Sequence, residues 1–414
     1  MTEPFDLLLR SCRLPDGREA DLGCRDGRIA EIGALGARAA RYIVECAGCV
    51  VTTGLVESHI HLDKALLSAR APSVDGTLAE AIRVTSLAKR DFTVADVQAR
   101  ARRVLDMAVA HGATSMRSHV EVDPIVGLTG LDALLPLKAE YAPALDLQLC
   151  AFAQEGILQA PGTEALLRRA LGAGADLVGG CPYNDTDAHA HIDIVFRLAR
   201  EFDVDADFHV DFFDEPRHLH VLYIAEQTVR HGWQGRVAVG HLTELDALPP
   251  VEQDRIIAAI REAGIGVIML PATDLYLMGR KDIRTVRRGL APAKRLLRAG
   301  VPVAAATNNV LNAFTPVGTA DPVLMGFLVA VGCHMGTRDD LLQALAMLTL
   351  HPARILRVPD YGVGVGCRAD LVVWDAERAE DIIATLASRH LVVKRGRVSV
   401  EHERITRERW RQTR

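Results

Sequence analysis

Hydrophobic and polar residues alternate in two different ways along this chain. Between about residues 50 and 310, short apolar runs are separated by stretches with an apolar residue every three or four positions. The short runs are typical of buried strands and the periodic stretches of amphipathic helices. Strand and helix in strict alternation predict a parallel, TIM-like (β/α)8 barrel. The predicted strands end in the segments 57–63, 115–122, 148–155, 177–185, 206–211, 237–244, 266–274 and 301–309.

Local signals support the helices predicted between these strands. Thr93 and Asp96 form a capping pair at the start of one helix, and Gly112 follows its end. The residues between them that share one helical face are apolar: Val97, Ala101, Val104, Leu105 and Ala108. The segment 251–263 repeats this pattern and is followed by Gly264. Both segments therefore predict helices that bury one face.

The two ends of the chain have a different pattern. Residues 5–50 and 362–400 contain short apolar runs separated by turn signals, among them Asp16-Gly17 and Asp26-Gly27. Such dipeptides between apolar runs are typical of β-hairpins. Because both ends have strand character and flank the barrel, we predict one small β-sandwich domain formed from both termini. The predicted boundaries are 1–50 and 362–414 for this domain and 51–361 for the barrel.

Composition and charge narrow the class of protein. The 414 residues include 48 Lys and Arg against 53 Asp and Glu, a balance that suggests no strong electrostatic partner such as nucleic acid. The first residues lack the pattern of a signal peptide, and the longest uncharged stretches contain Asn, Pro and Gly, so we expect no membrane span. The eight scattered cysteines are expected to be reduced. We therefore predict a cytoplasmic protein that binds a small-molecule substrate.

Histidines collect where the predicted strands end. In a parallel barrel, catalytic groups lie at the carboxyl ends of the strands. His59 and His61 are two positions apart on strand 1, so their side chains point to the same side. His209 on strand 5 and His241 on strand 6 lie at the same rim. Several neutral imidazoles at one rim predict a divalent-cation site, whereas a structural role is equally favoured for His119 on strand 2.

These motifs resemble the amidohydrolase superfamily of metal-dependent hydrolases. The closer resemblance is to its cytosine deaminase-like branch, which also includes enzymes that remove alkylamines from triazine rings. The motifs that carry it run in order from about residue 22 to residue 375 and cover most of the chain. They are "GLVESHIHLDK", "FAQEGI" (152–157), "LMGRKDIRTVRRG" (277–289), "NNVLNAFTPVGTADPV" (308–323) and "GVGVGCRADLVVWD". The family fold is also a barrel with a small β-sandwich.

Position by position, the resemblance implies roles for several of these residues. His59, His61 and His209 would be the metal ligands, and His241 would lie beside the hydrolytic water or the leaving group. Gln154 matches the glutamine with which cytosine deaminases contact the pyrimidine ring.

The resemblance also bears on the number and the surroundings of the metal ions. Members with two ions bridge them with a lysine or glutamate at the end of strand 4, and "GGCPYND" (179–185) has no lysine. We therefore expect one divalent ion, with zinc, iron and manganese all compatible with histidine ligands. Asp63 would orient a histidine of the pair on strand 1. A homo-oligomer is the family expectation.

Two positions depart from the family pattern. The family has an aspartate at the end of strand 8, which takes a proton from the hydrolytic water, and this chain has Asn308 there. Cytosine deaminases carry a glutamate three residues after the strand 5 histidine, and this chain has Phe212. A carboxamide is no base near neutral pH, and a phenyl ring moves no proton. Cytosine itself is therefore not the expected substrate.

Three hypotheses arise from these departures. In the first, the metal alone lowers the pKa of water, as catalytic zinc does, and His241 accepts the proton. In the second, another carboxylate is the base, and Asp211 is favoured among them because it is two residues from His209 on one strand. The alternative for Asp211, a hydrogen-bond acceptor that orients an imidazole, is favoured slightly more than the role of base. In the third, the site has lost hydrolysis and only binds a ligand. The carboxylates nearest the site are Asp211, Asp185, Asp274 and Glu121.

The main prediction is a metal-dependent hydrolase that cleaves a C–N bond of a small nitrogen heterocycle or cyclic amide, by deamination or amide hydrolysis. Phe212 would stack on the ring, and Asp274 and Arg280 would contact the substrate, with Arg280 reaching an acidic group. The alternatives are a ligand- or metal-binding relative without turnover, and a barrel enzyme that needs no metal.

Overall fold

The computed structural model describes residues 3–403 and 405–407. Its strands and helices follow the alternation predicted from the sequence. Within these ranges the strands are β1 (Phe5–Arg13), β2 (Glu19–Arg25), β3 (Arg28–Gly33), β4 (Ala40–Glu45), β5 (Val51–Thr53), β6 (Leu55–Ile60), β7 (Ala113–Glu121), β8 (Asp146–Ala153), β9 (Leu177–Gly180), β10 (Asp205–Val210), β11 (Val237–His241), β12 (Gly266–Met269), β13 (Val303–Ala305), β14 (Leu371–Trp374), β15 (Arg389–Lys394) and β16 (Arg397–Glu401).

The helices of the same ranges lie mainly between the strands β6 to β13. They are α1 (Leu78–Ala88), α2 (Val94–Ala110), α3 (Thr129–Tyr141), α4 (Thr163–Gly172), α5 (Ala188–Glu201), α6 (His220–Arg230), α7 (Pro250–Glu262), α8 (Pro271–Leu277), α9 (Ala293–Arg298), α10 (Pro322–Gly332), α11 (Arg338–Ala346), α12 (Leu350–Ile355) and α13 (Asp381–Ala384). Short 3-10 helices cover Lys89–Asp91, Pro182–Asn184 and Thr243–Ala247.

The central sheet is a closed parallel barrel. Strands β6 to β13 pair in chain order, each parallel to the next. The ring closes between its first and last strands through a parallel bridge of Ile60 with Asn308. There the Asn308 N–H donates to the His59 carbonyl and the His61 N–H to the Asn308 carbonyl, both at 2.8 Å. The predicted TIM-like barrel is confirmed, and its closure lies beside the histidine pair.

Both ends of the chain build the smaller unit. One sheet has the order β3-β2-β1-β4 and the other β16-β15-β14-β5. The predicted hairpins are β1–β2 and β2–β3, and both pairs are antiparallel. Apolar residues of both sheets share one buried core, among them Leu9, Leu22, Val51, Leu371 and Val393. The predicted β-sandwich from both termini is therefore confirmed, whereas the boundaries at residues 50 and 362 stay a prediction.

Two helices test the predictions made from local signals. In α2 the Thr93 hydroxyl accepts from the Asp96 N–H, and the five predicted apolar residues are buried. Gly112 then turns the chain at φ +92°, a left-handed conformation that favours glycine. Helix α7 covers residues 250–262 instead of 251–263.

Across the described ranges, no helix combines the length and apolar character of a membrane span.

Candidate active site

Three of the predicted residues meet at the carboxyl end of the barrel. His59 lies in β6, His61 directly follows it, and His209 lies near the end of β10. All three are buried, and one ring nitrogen of each lies within 4.8 Å of the others. The Nε2 atoms of His59 and His209 are 2.7 Å apart. The structure thus brings together the residues predicted to hold a metal.

The chemistry of these histidines suits a divalent cation. Burial lowers the pKa of each ring well below its usual value, and neighbouring imidazoles or a lysine lower it further. The rings are therefore neutral near pH 7, which is the form that binds metal. His59 Nδ1 has no hydrogen-bond partner among the described residues. Buried polar atoms are rarely left unpaired, so the chemistry of these rings fits a metal ion as their partner.

A small pocket opens beside the histidines. It is narrow and closely lined by side chains, among them His61 and His209 of the three histidines. It contains four further residues predicted to act on the substrate, namely Gln154, Phe212, His241 and Asn308. Among the described residues that line it, none carries a carboxylate. The complete lining is His61, Lys64, Leu78, Gln154, Tyr183, His209, Phe212, His241, Thr273, Asn308, Asn309 and Phe314.

His241 is held on two sides. Its Nδ1 is 2.7 Å from a carboxylate oxygen of Asp274, which is fully buried. Burial raises the pKa of the Asp274 carboxyl, and contact with His241 opposes this rise. The ring of Phe212 stacks on the imidazole at a centroid distance of 3.8 Å. These contacts fix the plane of the imidazole and leave Nε2 as the nitrogen that can exchange a proton.

Asn308 occupies the position at which the family has an aspartate. Its backbone has φ +62°, a left-handed conformation that asparagine adopts more readily than most residues. The side-chain Nδ2 donates to Thr273 Oγ1 at 3.1 Å. Its Oδ1 is buried and has no partner among the described residues. The carboxamide therefore offers an acceptor to a ligand in the pocket and no base.

A buried glutamate fixes the two strands that meet at the barrel closure. The Glu57 carboxylate accepts from the backbone N–H of His59 at 3.2 Å and from that of Thr307 at 3.1 Å. It also accepts from the Thr307 hydroxyl. These bonds hold the strand of the histidine pair against the segment that ends in Asn308.

Asp211 lies outside the pocket. Its backbone has φ +51° directly after β10 ends, so the strand alternation that would place it beside His209 stops there. The carboxylate accepts from the backbone N–H groups of His220 and Val221, at 2.8 and 3.2 Å, in the first turn of α6. Burial, and then Glu244, raise its pKa to about 7. The structure therefore places Asp211 at a helix start.

Asp274 and Arg280 also lie away from the pocket. Asp274 lies in α8, beyond the end of strand β12, and contacts His241 instead of the pocket. Arg280 is exposed, and its guanidinium lies 4.4 Å from the ring centroid of Tyr276. Its Nε donates to the Tyr276 carbonyl at 3.0 Å.

Three other carboxylates considered from the sequence also have partners of their own. Asp185 binds His191 Nδ1 at 2.8 Å and the backbone of residues 157–159. Glu121 binds two lysines. Asp63 accepts from the backbone N–H groups of Lys64 and Glu121, at 2.9 and 2.8 Å, and not from the histidine that it was expected to orient.

Several residues that line the pocket were not predicted. Lys64 is the most informative, because its ammonium is buried beside Gln154 at 3.4 Å. Its position directly after "HIHLD" was a signal that could have been used. Tyr183 lies in the short 3-10 helix after β9 and Phe314 in the loop after β13, and no periodic pattern predicts the conformation of either segment.

Comparisons with known proteins agree with this geometry. The family model described as "Amidohydrolase family" matches residues 43–400. The chain is 28% identical to N-isopropylammelide isopropyl amidohydrolase of Pseudomonas sp. (strain ADP), over 98% of this chain and 100% of that protein. It is 30% identical to pterin deaminase of Rhizobium rhizogenes, over 92% of this chain and 87% of that protein.

A solved structure extends this similarity to the fold. The 5-methylcytosine deaminase from Klebsiella pneumoniae has a TM-score of 0.92 and 29% identity, covering 97% of this chain and 99% of that chain. The predicted resemblance, including its cytosine deaminase-like and triazine-related relatives, is thus confirmed. The chain belongs to the amidohydrolase family.

Proposed function

We propose that this chain uses one divalent ion, held by His59, His61 and His209, to hydrolyse a C–N bond of a small nitrogen heterocycle or cyclic amide. Its family is metal-dependent and acts on non-peptide C–N bonds. The observation that carries the proposal is the convergence of three buried, neutral histidines, two of which line a pocket that also holds His241. A bound ion would supply Lewis-acid polarisation and a water of lowered pKa.

His241 is the proposed proton acceptor. Because Asp274 contacts Nδ1, a proton taken from water would reside on Nε2, and the buried carboxylate would stabilise the imidazolium. The same imidazolium could then protonate the leaving nitrogen. This pair would replace the two carboxylates that the family pattern has and the pocket lacks. Asn308 Oδ1 would accept a hydrogen bond from the water or the substrate and thereby orient it.

The pocket also limits the substrate. Its close lining by aromatic and polar side chains suits a small planar ring. Gln154 would hydrogen-bond the ring edge, and Phe212 would fill the space beside the ring. The relatives act on N-isopropylammelide and pterin, which suggests ring-bound amino or alkylamino groups as leaving groups. Cytosine is a poor candidate because Phe212 stands where a proton-carrying glutamate is expected.

The identity of the metal, the location of the protein and its oligomeric state also remain proposals. The ion would be zinc, iron or manganese, since imidazole suits all three. The protein would act in the cytoplasm as a homo-oligomer, without nucleic acid or membrane partners.

The test is turnover by protein loaded with each of the three metals in turn. Aminated pyrimidines, alkylamino triazines, pterins and cyclic amides would be incubated with it, and released ammonia or amine measured by mass spectrometry. We expect release from at least one ring class, and a fall of about 10–100-fold for Asp274→Asn with a changed pH profile. If the metal-loaded protein left every compound of the panel unchanged, the proposal would be wrong.

Ligand binding without turnover is the second candidate, favoured by the lack of a carboxylate among the described pocket residues. The double substitution Asn308→Asp, Phe212→Glu separates the two functions. Turnover that appears only in the double variant would identify the natural protein as a binder. Loss of an existing activity in that variant would instead show that both residues are adapted to a different substrate.

A further inference from the structure

We propose that Lys64 determines substrate specificity by donating a hydrogen bond to an oxo oxygen on the substrate ring. The pocket would then select oxo-substituted rings over rings that carry only amino groups. The inference deepens the proposed function and rests on it, because it assumes that the bound ring is the substrate. The binding itself requires no turnover.

The charge inside the pocket is the first argument. Lys64 lines the pocket three residues after His61, and its side chain is 2% exposed. Its ammonium is the one side chain of fixed charge among the described residues that line the pocket. An ion held by neutral histidines would add further positive charge. A pocket with this charge favours oxygen atoms and anions over amino groups.

The bonding of the ammonium is the second argument. Its Nζ donates to Glu121 at 2.7 Å and to Gln154 Oε1 at 3.4 Å, and it lies 4.4 Å from the ring centroid of Phe314. An ammonium has three N–H donors, so these two acceptors leave one for a ligand. Hydrogen bonds from a charged donor are about twice as strong as neutral ones.

The Glu121 carboxylate is shared between Lys64 and a second lysine. Its second oxygen accepts from Lys89 at 2.9 Å, so one carboxylate serves two ammonium groups. Lys89 has further partners in Asp123 at 2.7 Å and Glu155 at 2.6 Å. This sharing keeps the Lys64 ammonium in place while leaving part of its charge for a ligand.

The orientation of Gln154 is the third argument. Because a lysine can only donate, the Gln154 oxygen must face Lys64, which fixes the carboxamide. Its Nε2 then lies 3.5 Å from Cys181 Sγ, with one N–H left over. Lys64 and Gln154 thus present N–H donors on neighbouring parts of the wall. Two adjacent donors match a ring oxygen and leave an amino group without an acceptor there.

The experiment measures binding by calorimetry to metal-loaded protein. The probes are barbiturate, an oxo ring without amino groups, and 2,4-diaminopyrimidine, an amino ring without oxygen. The proposal expects the natural protein to prefer barbiturate. Lys64→Met should weaken barbiturate binding about tenfold or more and change diaminopyrimidine binding less than about twofold. Glu121 keeps Lys89 as a partner in this variant, so its charge stays paired.

Glu121→Gln is the matched variant, because it retains the ammonium and removes its anionic partner. If Lys64 reads an oxygen, barbiturate should bind this variant at least as tightly as the natural protein. If Lys64 only supports the fold, both variants should weaken both ligands alike, and this result would overturn the inference. Thermal unfolding of each variant shows whether it is folded. If Lys64→Met does not fold, barbiturate binding by Glu121→Gln decides alone.

Two further results would overturn the inference: a natural protein that prefers diaminopyrimidine, and one that binds neither probe. Because these measurements need no catalysis, failure of the turnover panel would leave the Lys64 result standing. If turnover were found only for rings without oxygen, the proposed function would stand and the role of Lys64 would be rejected.

Discussion

Two neighbouring clusters of buried polar side chains in the barrel differ in how their atoms are paired. The histidine cluster consists of His59, His61 and His209, whose neutral rings contact one another and leave His59 Nδ1 without a partner among the described residues. In the ion-pair cluster, each ammonium lies within 2.6–2.9 Å of at least one carboxylate. Its members are Lys64, Lys89, Glu121, Asp123 and Glu155.

The difference shows how to distinguish a ligand site from a structural network. Glu121, Asp123 and Glu155 lie close enough together to hold a cation, as the three histidines do. The ammonium of Lys89, however, already contacts all three carboxylates. Paired buried charges are satisfied within the chain, whereas unpaired buried imidazoles indicate a partner from outside it. Substitutions in the two clusters should therefore have different effects, on metal content in one and on stability in the other.

The largest expected effect is loss of the metal from the histidine cluster. The natural protein, purified without chelators, should contain about one equivalent of divalent metal, and the His59→Ala, His61→Ala variant none. Turnover should fall to background. Elemental analysis checks the metal content, with His189→Ala as a control because that histidine is exposed and stacks on Tyr223. Equal metal in all three proteins would place the ion elsewhere.

The second effect is on stability, through the ion-pair cluster. Lys89→Met leaves Asp123 without its ammonium and should lower the free energy of unfolding by about 3–5 kcal/mol. Lys138→Met is the control, since Lys138 pairs with Asp176 at the surface and should contribute at most about 1 kcal/mol. Urea unfolding at pH 7 measures both. A similar small loss in the two variants would show that the cluster is not structural.

The fold was predictable because its signal is periodic. Buried strands and amphipathic helices repeat along the chain, and each of the eight predicted barrel strands is present. The histidine cluster was predictable for the same reason, since His59 and His209 lie within strands and their direction follows from alternation.

The rest of the site depends on the segments directly after the strands, where the alternation ends. Asp211 has a left-handed backbone conformation, and Asp274 lies in a helix. Strand alternation therefore does not predict the direction of either side chain. The ion-pair cluster joins residues such as Lys64 and Glu121, which are 57 positions apart. No local pattern encodes such a contact, and only the folded barrel brings the two residues together.

The third prediction concerns the loss of stability from Glu121 at low pH. Burial would raise the pKa of the Glu121 carboxyl, but Lys64 and Lys89 lower it to about 2, against an ordinary value of 4.5. Because the folded-state pKa is depressed, the stability from Glu121 is complete above pH 4.5 and is lost as the pH falls towards 2. At pH 7, Glu121→Gln should be less stable than the natural protein by on the order of 1–3 kcal/mol. Urea unfolding between pH 7 and 3 should show this gap narrowing below pH 4.5, and parallel curves would contradict it.

The smallest effect is expected at Arg280, which the sequence placed among the substrate contacts. Its guanidinium lies on Tyr276 at the surface, and its Nε donates to a backbone carbonyl, so it belongs to neither buried cluster. Arg280→Ala should change kcat/KM by less than about twofold and stability by less than about 0.5 kcal/mol. Steady-state kinetics on whichever ring is turned over, with Arg284→Ala as a control from the same loop, measures this. A fall of tenfold or more confined to Arg280→Ala would mean that the loop closes over bound substrate, and that the pocket takes a second cation from its rim.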